Sequence, residues 1–254
     1  MSFGPWDIML VAGVSVHATI LAYLYHPKWK TLVYSLPVPF TLASMSLGQP
    51  IGVTNVTGVL LLLFYAHGVR LLNQKAGVPI VASIALSAVG YCVFSAVLVR
   101  VLPQTDAAFW AVAAATWVLG LVLFLATPHR EEPGHRTPLP VWIKLPVVSG
   151  VIVALVAMKS ILQGFMTMFP MVGVIGAYET RYSQWAFSRQ APVIMLCMVP
   201  MMATCRLTHP HFGLGPSLLL GWVTLLALLV PLTWWMWASA ERQRAAGAAQ
   251  DARA

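Results

Sequence analysis

Apolar residues run along this chain in long stretches that short polar segments separate. Several stretches reach about 20 residues, the length that crosses the hydrocarbon core of a bilayer as a helix. The strict alternation of apolar and polar residues that is typical of membrane β-barrels is absent. The pattern therefore predicts an all-α fold, a polytopic transmembrane helical bundle.

We predict about nine spans from this pattern, each bounded to within a few residues. The turn between the sixth and seventh spans is tight, and the seventh is short for a full crossing. The predicted spans cover residues 7–26, 31–48, 51–72, 78–101, 107–127, 143–162, 164–179, 184–206 and 214–238.

Composition agrees with a membrane protein, because 59% of the residues are hydrophobic and 9% are charged. A typical soluble domain carries about 25% charged residues. The formal net charge of +8 fits basic cytoplasmic loops better than a nucleic-acid surface. We therefore expect the lipid bilayer as the partner and no nucleic acid.

The basic residues also predict an orientation. Lys28 and Lys30 follow the first span, and Arg70 and Lys75 follow the third. Exits of odd-numbered spans are basic, which places them in the cytoplasm. The prediction is a multi-pass protein of the bacterial inner (plasma) membrane, with the N-terminus outside and the C-terminus cytoplasmic. Arg206, after the eighth span, is the exception.

The chain also resembles itself. "KWKTLVYSLPVP" lies over "KSILQGFMTMFP", and "HGVRLL" lies over "ATCRLT". A repeat of this kind is a sign of duplicated architecture. The alignment places Lys28 on Lys159, Pro39 on Pro170, and Arg70 on Arg206.

An inverted repeat follows if each unit holds four spans and the fifth span connects them. The odd connector turns the second unit upside down, as in many secondary transporters, and so explains the position of Arg206. The predicted domains are a first four-helix transmembrane repeat (1–104), a linker helix with a cytoplasmic loop (105–142), a second four-helix repeat (143–238) and a polar cytoplasmic tail (239–254).

Two prolines at matching places are the first candidates for a solute path. Pro39 and Pro170 each interrupt an apolar span. Proline removes a backbone donor and bends a helix, so a pair of bent helices would meet at a central cavity. The alternative is that both prolines only shape helix packing.

Charged residues form a second candidate set. Glu179 and Arg181 end the seventh span, and Arg189 lies about one turn into the eighth. Ionisable groups inside spans are costly and often functional. We expect the three to form a cytoplasmic polar cluster that acts as a gate or binds an anion. The alternative is an interfacial anchor.

His17 and Asn55 complete the candidates, because both are polar residues within predicted spans. His17 is either a buried neutral histidine with a hydrogen-bond partner or a proton-coupling group. Asn55 either bonds to a neighbouring helix or lines an entry path. A haem between His17 and His67 is disfavoured, since their depths differ by about 9 Å at 1.5 Å per residue.

Part of the second half resembles a known family. The segment "FPMVGVIGAYETRYSQWAFSRQAPVIMLCMVP" is similar to the GlpM-like family of small bacterial inner-membrane proteins, most clearly over 145–237 and more weakly over 10–101. The matching features are Phe169-Pro170, Glu179, Arg181, Arg189 and Pro200. The resemblance implies a four-helix unit, with a loose link to alginate production and no established chemistry. The first half departs from it, with Gly48 and Gln49 near the place of Glu179.

These observations favour a transporter or permease-like protein for a small neutral or anionic solute. No nucleophile elbow, phosphate-binding loop or metalloprotease motif is present, so we expect neither an enzyme nor a cofactor or metal site. The alternative is a non-transporting accessory subunit of an envelope polysaccharide or lipid assembly. A redox subunit is a weaker third class. A homo-oligomer is compatible with the sequence.

Overall fold

The computed structural model describes residues 4–128, 130, 132–135, 137, 140–157 and 162–251. These residues form helices and contain no strand, so the all-α prediction is confirmed. The elements are α1 (Pro5–Tyr23), α2 (Pro27–Tyr34), α3 (Val38–Leu47), α4 (Val53–Gln74), α5 (Ile80–Val101), α6 (Asp106–Ala126), α7 (Val141–Val156), the 3₁₀ helix η1 (Gln163–Met168), α8 (Met171–Glu179), α9 (Gln184–Phe212) and α10 (Leu214–Asp251).

Within the described ranges, 6 helices are long and apolar enough to cross a membrane: α1, α4, α5, α6, α9 and the first part of α10. The protein is therefore an α-helical membrane protein, as predicted. Helix α7 occupies the place of the sixth predicted span but has only 16 residues. The predicted end of that span, including Lys159, lies outside the described residues.

The second and seventh predicted spans are broken outright, although the sequence predicts bends. The first break separates α2 from α3, where Pro37 is the N-cap and Pro39 lies in the first turn. The second separates η1 from α8, whose N-cap is Pro170. Both breaks follow from proline, which has no N–H to donate to the preceding turn. We call α2–α3 and η1–α8 the two broken segments.

The broken segments lie inside the bundle and run past each other. Helix α3 packs against η1, and α2 packs against α8, so each segment's first part meets the other's second part. Helices α4 and α9 flank them and are the most buried of the long helices. Helices α5, α6 and α10 are mostly exposed and form an apolar outer face.

Two further details differ from simple expectation. Asp7 lies near the chain start, where a carboxylate is normally exposed, yet it is only 3% exposed. Its side chain accepts hydrogen bonds from Ser46 and from the backbone N–H of Gly4.

The segment predicted as a polar tail continues α10 as helix to Asp251.

Candidate functional site

The two broken segments face each other across a cavity of about 50 Å³, which we call the break cavity. Pro39 and Pro170 both line it, so the structure brings the two predicted prolines together. Tyr34 also lines it, and its hydroxyl has no hydrogen-bond partner among the described residues. Most other lining residues are apolar, including Leu62, Met168, Phe169, Met171, Ile194 and Met198.

A second cavity, of about 160 Å³, lies at the N-terminal end of α4. We call it the polar chamber. Among the described residues that line it, none is charged, and most carry an amide or a hydroxyl group. Thr167 lines both this chamber and the break cavity, so the two cavities adjoin. The hydrogen-bonding side chains of the lining are Ser44, Gln49, Thr54, Asn55, Gln104, Gln163 and Thr167.

Asn55 lines the polar chamber and bonds to Thr167, the residue that lines both cavities. It is 4% exposed, and its Oδ1 accepts from the Gly52 N–H at 2.7 Å. Its Nδ2 donates to Thr167 Oγ1 at 2.9 Å and to the Gly164 carbonyl at 3.3 Å. The amide thus holds the N-terminus of α4 against η1. We call the Asn55–Thr167 contact the first closure.

A third cavity, of about 230 Å³, lies at the opposite end of the bundle. We call it the basic cavity. Its charged lining residues are Lys28, Arg130, Glu132 and Arg189, and aromatic rings of Trp185 and Trp237 border them. Gln190 lines this cavity and donates from Nε2 to the hydroxyl of Ser35, which lines the break cavity. We call the Ser35–Gln190 contact the second closure.

Glu132 holds the start of α9. Its carboxylate oxygens accept from the backbone N–H groups of Trp185 at 3.0 Å and Ala186 at 2.6 Å. The guanidinium groups of Arg70 and Arg130 lie over the Trp185 ring, 4.6 and 3.9 Å from its centre. A carboxylate at a helix N-terminus satisfies free donors and interacts favourably with the helix dipole.

Replacing Glu132 with glutamine is expected to lower the free energy of unfolding by about 1 kcal/mol, because a neutral amide oxygen is a weaker partner for these donors. Thermal unfolding in detergent would measure the change. Glu241→Gln is the matched control, since that carboxylate is exposed and only 3.7 Å from Lys28 Nζ in a surface ion pair. Equal effects of the two substitutions would contradict the capping role.

The predicted charged cluster is divided between two places. Glu179 is 3% exposed, and its Oε2 accepts from the Thr137 N–H at 3.1 Å. Arg181 donates to the Thr137 hydroxyl at 3.3 Å. Arg189 instead lines the basic cavity and donates from Nε to the Thr127 carbonyl at 3.2 Å. Thr137 therefore joins Glu179 to Arg181, and Arg189 faces the cavity.

Lys30 follows the first predicted span, and in the sequence it looks like an ordinary loop lysine. It is 2% exposed, and its ammonium group donates to the carbonyls of His135 and, at 2.9 Å, Glu179. It thereby connects α2, α8 and the loop before α7. The signal in the sequence is weak, because one lysine of a "KWK" segment looks like the other.

His17 lies beside the first break. Its Nε2 is 2.8 Å from the Val33 carbonyl, so this nitrogen carries the proton. Val33 is in the last turn of α2, and its carbonyl also accepts from the backbone N–H of Leu36 at 3.1 Å. The contact supports the broken end of α2 from α1. Nδ1 of His17 has no partner among the described residues.

Across the part of the chain that the structure describes, no group of three or more histidine, cysteine, aspartate or glutamate residues comes together. The free cysteines Cys92, Cys197 and Cys205 lie on separate parts of the long helices.

The similarity of residues 145–237 to the GlpM-like family stays a prediction from the sequence. No protein-family model, no curated protein and no solved structure matches this chain.

Proposed function

We propose that this protein is a small permease-like membrane protein. Its solute path runs through the polar chamber, the break cavity and the basic cavity in that order. The observation that carries the proposal is the adjacency of the three cavities. Thr167 lines the first two, and the Ser35–Gln190 hydrogen bond joins the linings of the second and third.

The path has a closure at each junction. In both closures a buried amide donates to a buried hydroxyl across the two halves of the chain. A neutral hydrogen bond contributes about 1 kcal/mol net, so opening one closure is a small cost. The break cavity between them is narrow and mainly apolar. The arrangement is that of an occluded carrier, which opens one end at a time.

We propose in addition that the chain makes nine passages and contains the inverted repeat. The two closures support it. Asn55 on α4 binds the second broken segment, and Gln190 on α9 binds the first. By the Arg70–Arg206 pair Asn55 falls on Ala191, one position from Gln190, and by the Lys28–Lys159 pair Ser35 falls on Met166, one position from Thr167. Contacts exchanged between nearly corresponding places are expected of a two-fold axis between the halves.

The orientation places the polar chamber outside and the basic cavity in the cytoplasm, by the distribution of basic residues. Arg189 then lies at the cytoplasmic end of the path, and Pro39 and Pro170 lie at the middle of the path. Glu179 and Arg181 support the path from the loop side through Thr137. A small neutral or anionic solute fits these charges, since no carboxylate is among the described residues that line the polar chamber or the break cavity.

Cysteine labelling tests the path without a known solute. In a variant lacking the three native cysteines, cysteine replaces in turn Thr167 and Ser35, which line the break cavity, and Thr31, which lines the basic cavity. A small charged thiol reagent reacts only with thiols that water reaches. We expect Thr31→Cys to react at least tenfold faster from the cytoplasmic side, and Thr167→Cys from the outer side, because thiolate formation requires water.

Two controls define the background. Thr116→Cys is fully buried on α6 away from the cavities, and Val122→Cys is on the exposed apolar face of α6. Neither should react from either side. Labelling of the path positions at the rate of these controls would remove the permease proposal and favour the accessory subunit.

A further inference from the structure

The polar chamber bears on the chemical class of the solute. We propose that it binds an uncharged solute with several hydroxyl groups, such as a small polyol or a monosaccharide. The inference rests on the permease function proposed above and names its substrate class. It is carried by the described residues of the chamber's lining, among which amides and hydroxyls are abundant and none is charged.

Several of these polar groups are available to a ligand. Ser44 is 1% exposed, and its hydroxyl has no partner among the described residues. Gln104 donates from its Nε2 to the Leu102 carbonyl at 3.2 Å. Its Oε1 can then accept a hydrogen bond from a ligand. Gln49 and Gln163 line the chamber, and both residues are exposed. An unpaired buried hydroxyl costs about 1–3 kcal/mol, so a ligand that pairs it gains affinity.

The chamber disfavours ions. A charged solute that leaves water needs a counter-charge, because desolvation costs several kcal/mol for each ion. Arg206 and Asp106, which pair with each other, line a neighbouring surface cavity that shares Pro50 with the chamber. Arg206 also donates to the Ile51 carbonyl at 2.8 Å. These two charges are therefore committed to the protein.

Hydroxyl-rich solutes match the lining. A hydroxyl donates one hydrogen bond and accepts two, and each glutamine amide offers both functions on one flat group. Neighbouring hydroxyls of a polyol therefore pair with neighbouring amides and with Ser44. A hydroxyl also replaces either partner of the Asn55–Thr167 contact, so the solute itself compensates for opening the first closure. An apolar solute would leave these groups unpaired.

The backbone at the chamber gives a second, independent indication. Gln163 has φ of 47°, the single positive φ of a non-glycine residue in the described ranges. A glutamine in this left-handed region costs of order 1 kcal/mol, and such conformations are concentrated at functional sites. The strained residue is one that lines the chamber. We infer that the strain holds the Gln163 amide at the ligand.

Light scattering of proteoliposomes tests the substrate class. A sudden gradient of erythritol, xylitol or arabinose shrinks the vesicles, and solute entry then lets them swell. We expect swelling at least tenfold faster than in protein-free vesicles for these neutral solutes. Sodium lactate and choline chloride, at equal osmolarity, should give the protein-free rate.

Two variants connect the flux to the chamber. Gln163→Leu should lower the xylitol flux on the order of tenfold, the effect of about 1.4 kcal/mol, and Gln74→Leu, at the exposed end of α4, should not. Ser44→Ala is the second variant, because it removes one oxygen without a change of backbone. It should lower the flux in the same direction.

The outcomes separate this inference from the permease proposal. Fast lactate or choline flux with slow polyol flux would overturn the polyol assignment and leave the permease. Path cysteines that react without any polyol flux would also overturn it. Failure of the permease itself would show as path cysteines that do not react. Polyol flux that neither variant lowers would contradict binding in the chamber.

Discussion

Replacing Lys30 with methionine is expected to lower the free energy of unfolding by about 3 kcal/mol or more. The ammonium group is buried and donates to two backbone carbonyls, one of them that of Glu179. Methionine fills similar volume but cannot donate, so both carbonyls lose a charged partner. The side chain of the same Glu179 is a buried carboxylate, and the substitution removes the positive charge that bonds to this residue's carbonyl.

Thermal unfolding in detergent measures this effect. Lys75→Met is the matched control, because Lys75 is exposed just after α4, and we expect a change within about 0.5 kcal/mol. The double variant Lys30→Met with Glu179→Gln should recover part of the loss, since it removes the carboxylate charge as well. If Lys30→Met unfolds at the same temperature as Lys75→Met, the buried role of Lys30 is wrong.

Replacing Gly164 with alanine is expected to lower the free energy of unfolding by about 2–3 kcal/mol. An added Cβ would lie 2.1 Å from Thr54 Oγ1 and 3.0 Å from Thr54 Cβ. Threonine is branched at Cβ and stiff in a helix, so it cannot turn away easily. Helix η1 would have to move from α4, which lengthens the Asn55–Thr167 and Asn55–Gly164 hydrogen bonds.

Gly90→Ala is the control for this substitution. Gly90 lies within α5, and a Cβ there meets nothing within 4 Å. Alanine should be neutral or stabilise α5 by up to about 1 kcal/mol. Thr54→Ala should partly rescue Gly164→Ala, because it removes the oxygen that the new Cβ meets. The absence of any rescue would show that the clash with Thr54 is not the cause.

Hydrophobic pattern predicts most of the scaffold here. The long helices α4, α5 and α6 begin and end within a few residues of their predicted bounds, because lipid requires continuous apolar helices of one length. Pattern also identifies the prolines at both breaks. The pattern does not show whether the helix bends or is interrupted at a proline, because the same backbone donor is lost in both cases. Which of the two occurs depends on the hydrogen bonds that neighbouring helices supply to the freed backbone groups.

The polar site is harder to predict, because its contacts join distant parts of the chain. Asn55 is a candidate from sequence, but its partner Thr167 is 112 positions away. Gln190 and Ser35 are 155 positions apart, and neither stands out in its own segment. Lys30 looks like an ordinary loop lysine until the fold buries it. Periodicity reports local structure and gives no information on such pairs.

The two broken segments also constrain how the protein is made. The ribosome synthesises the first broken segment (α2–α3) well before Gln190. The Ser35 hydroxyl therefore has no Gln190 partner while this segment is in the lipid or at the insertion machinery. Elements this short do not cross a bilayer as stable helices by themselves. The first half therefore enters the membrane incomplete, and quality-control proteases should degrade a chain that ends before α9 far faster than the full-length protein.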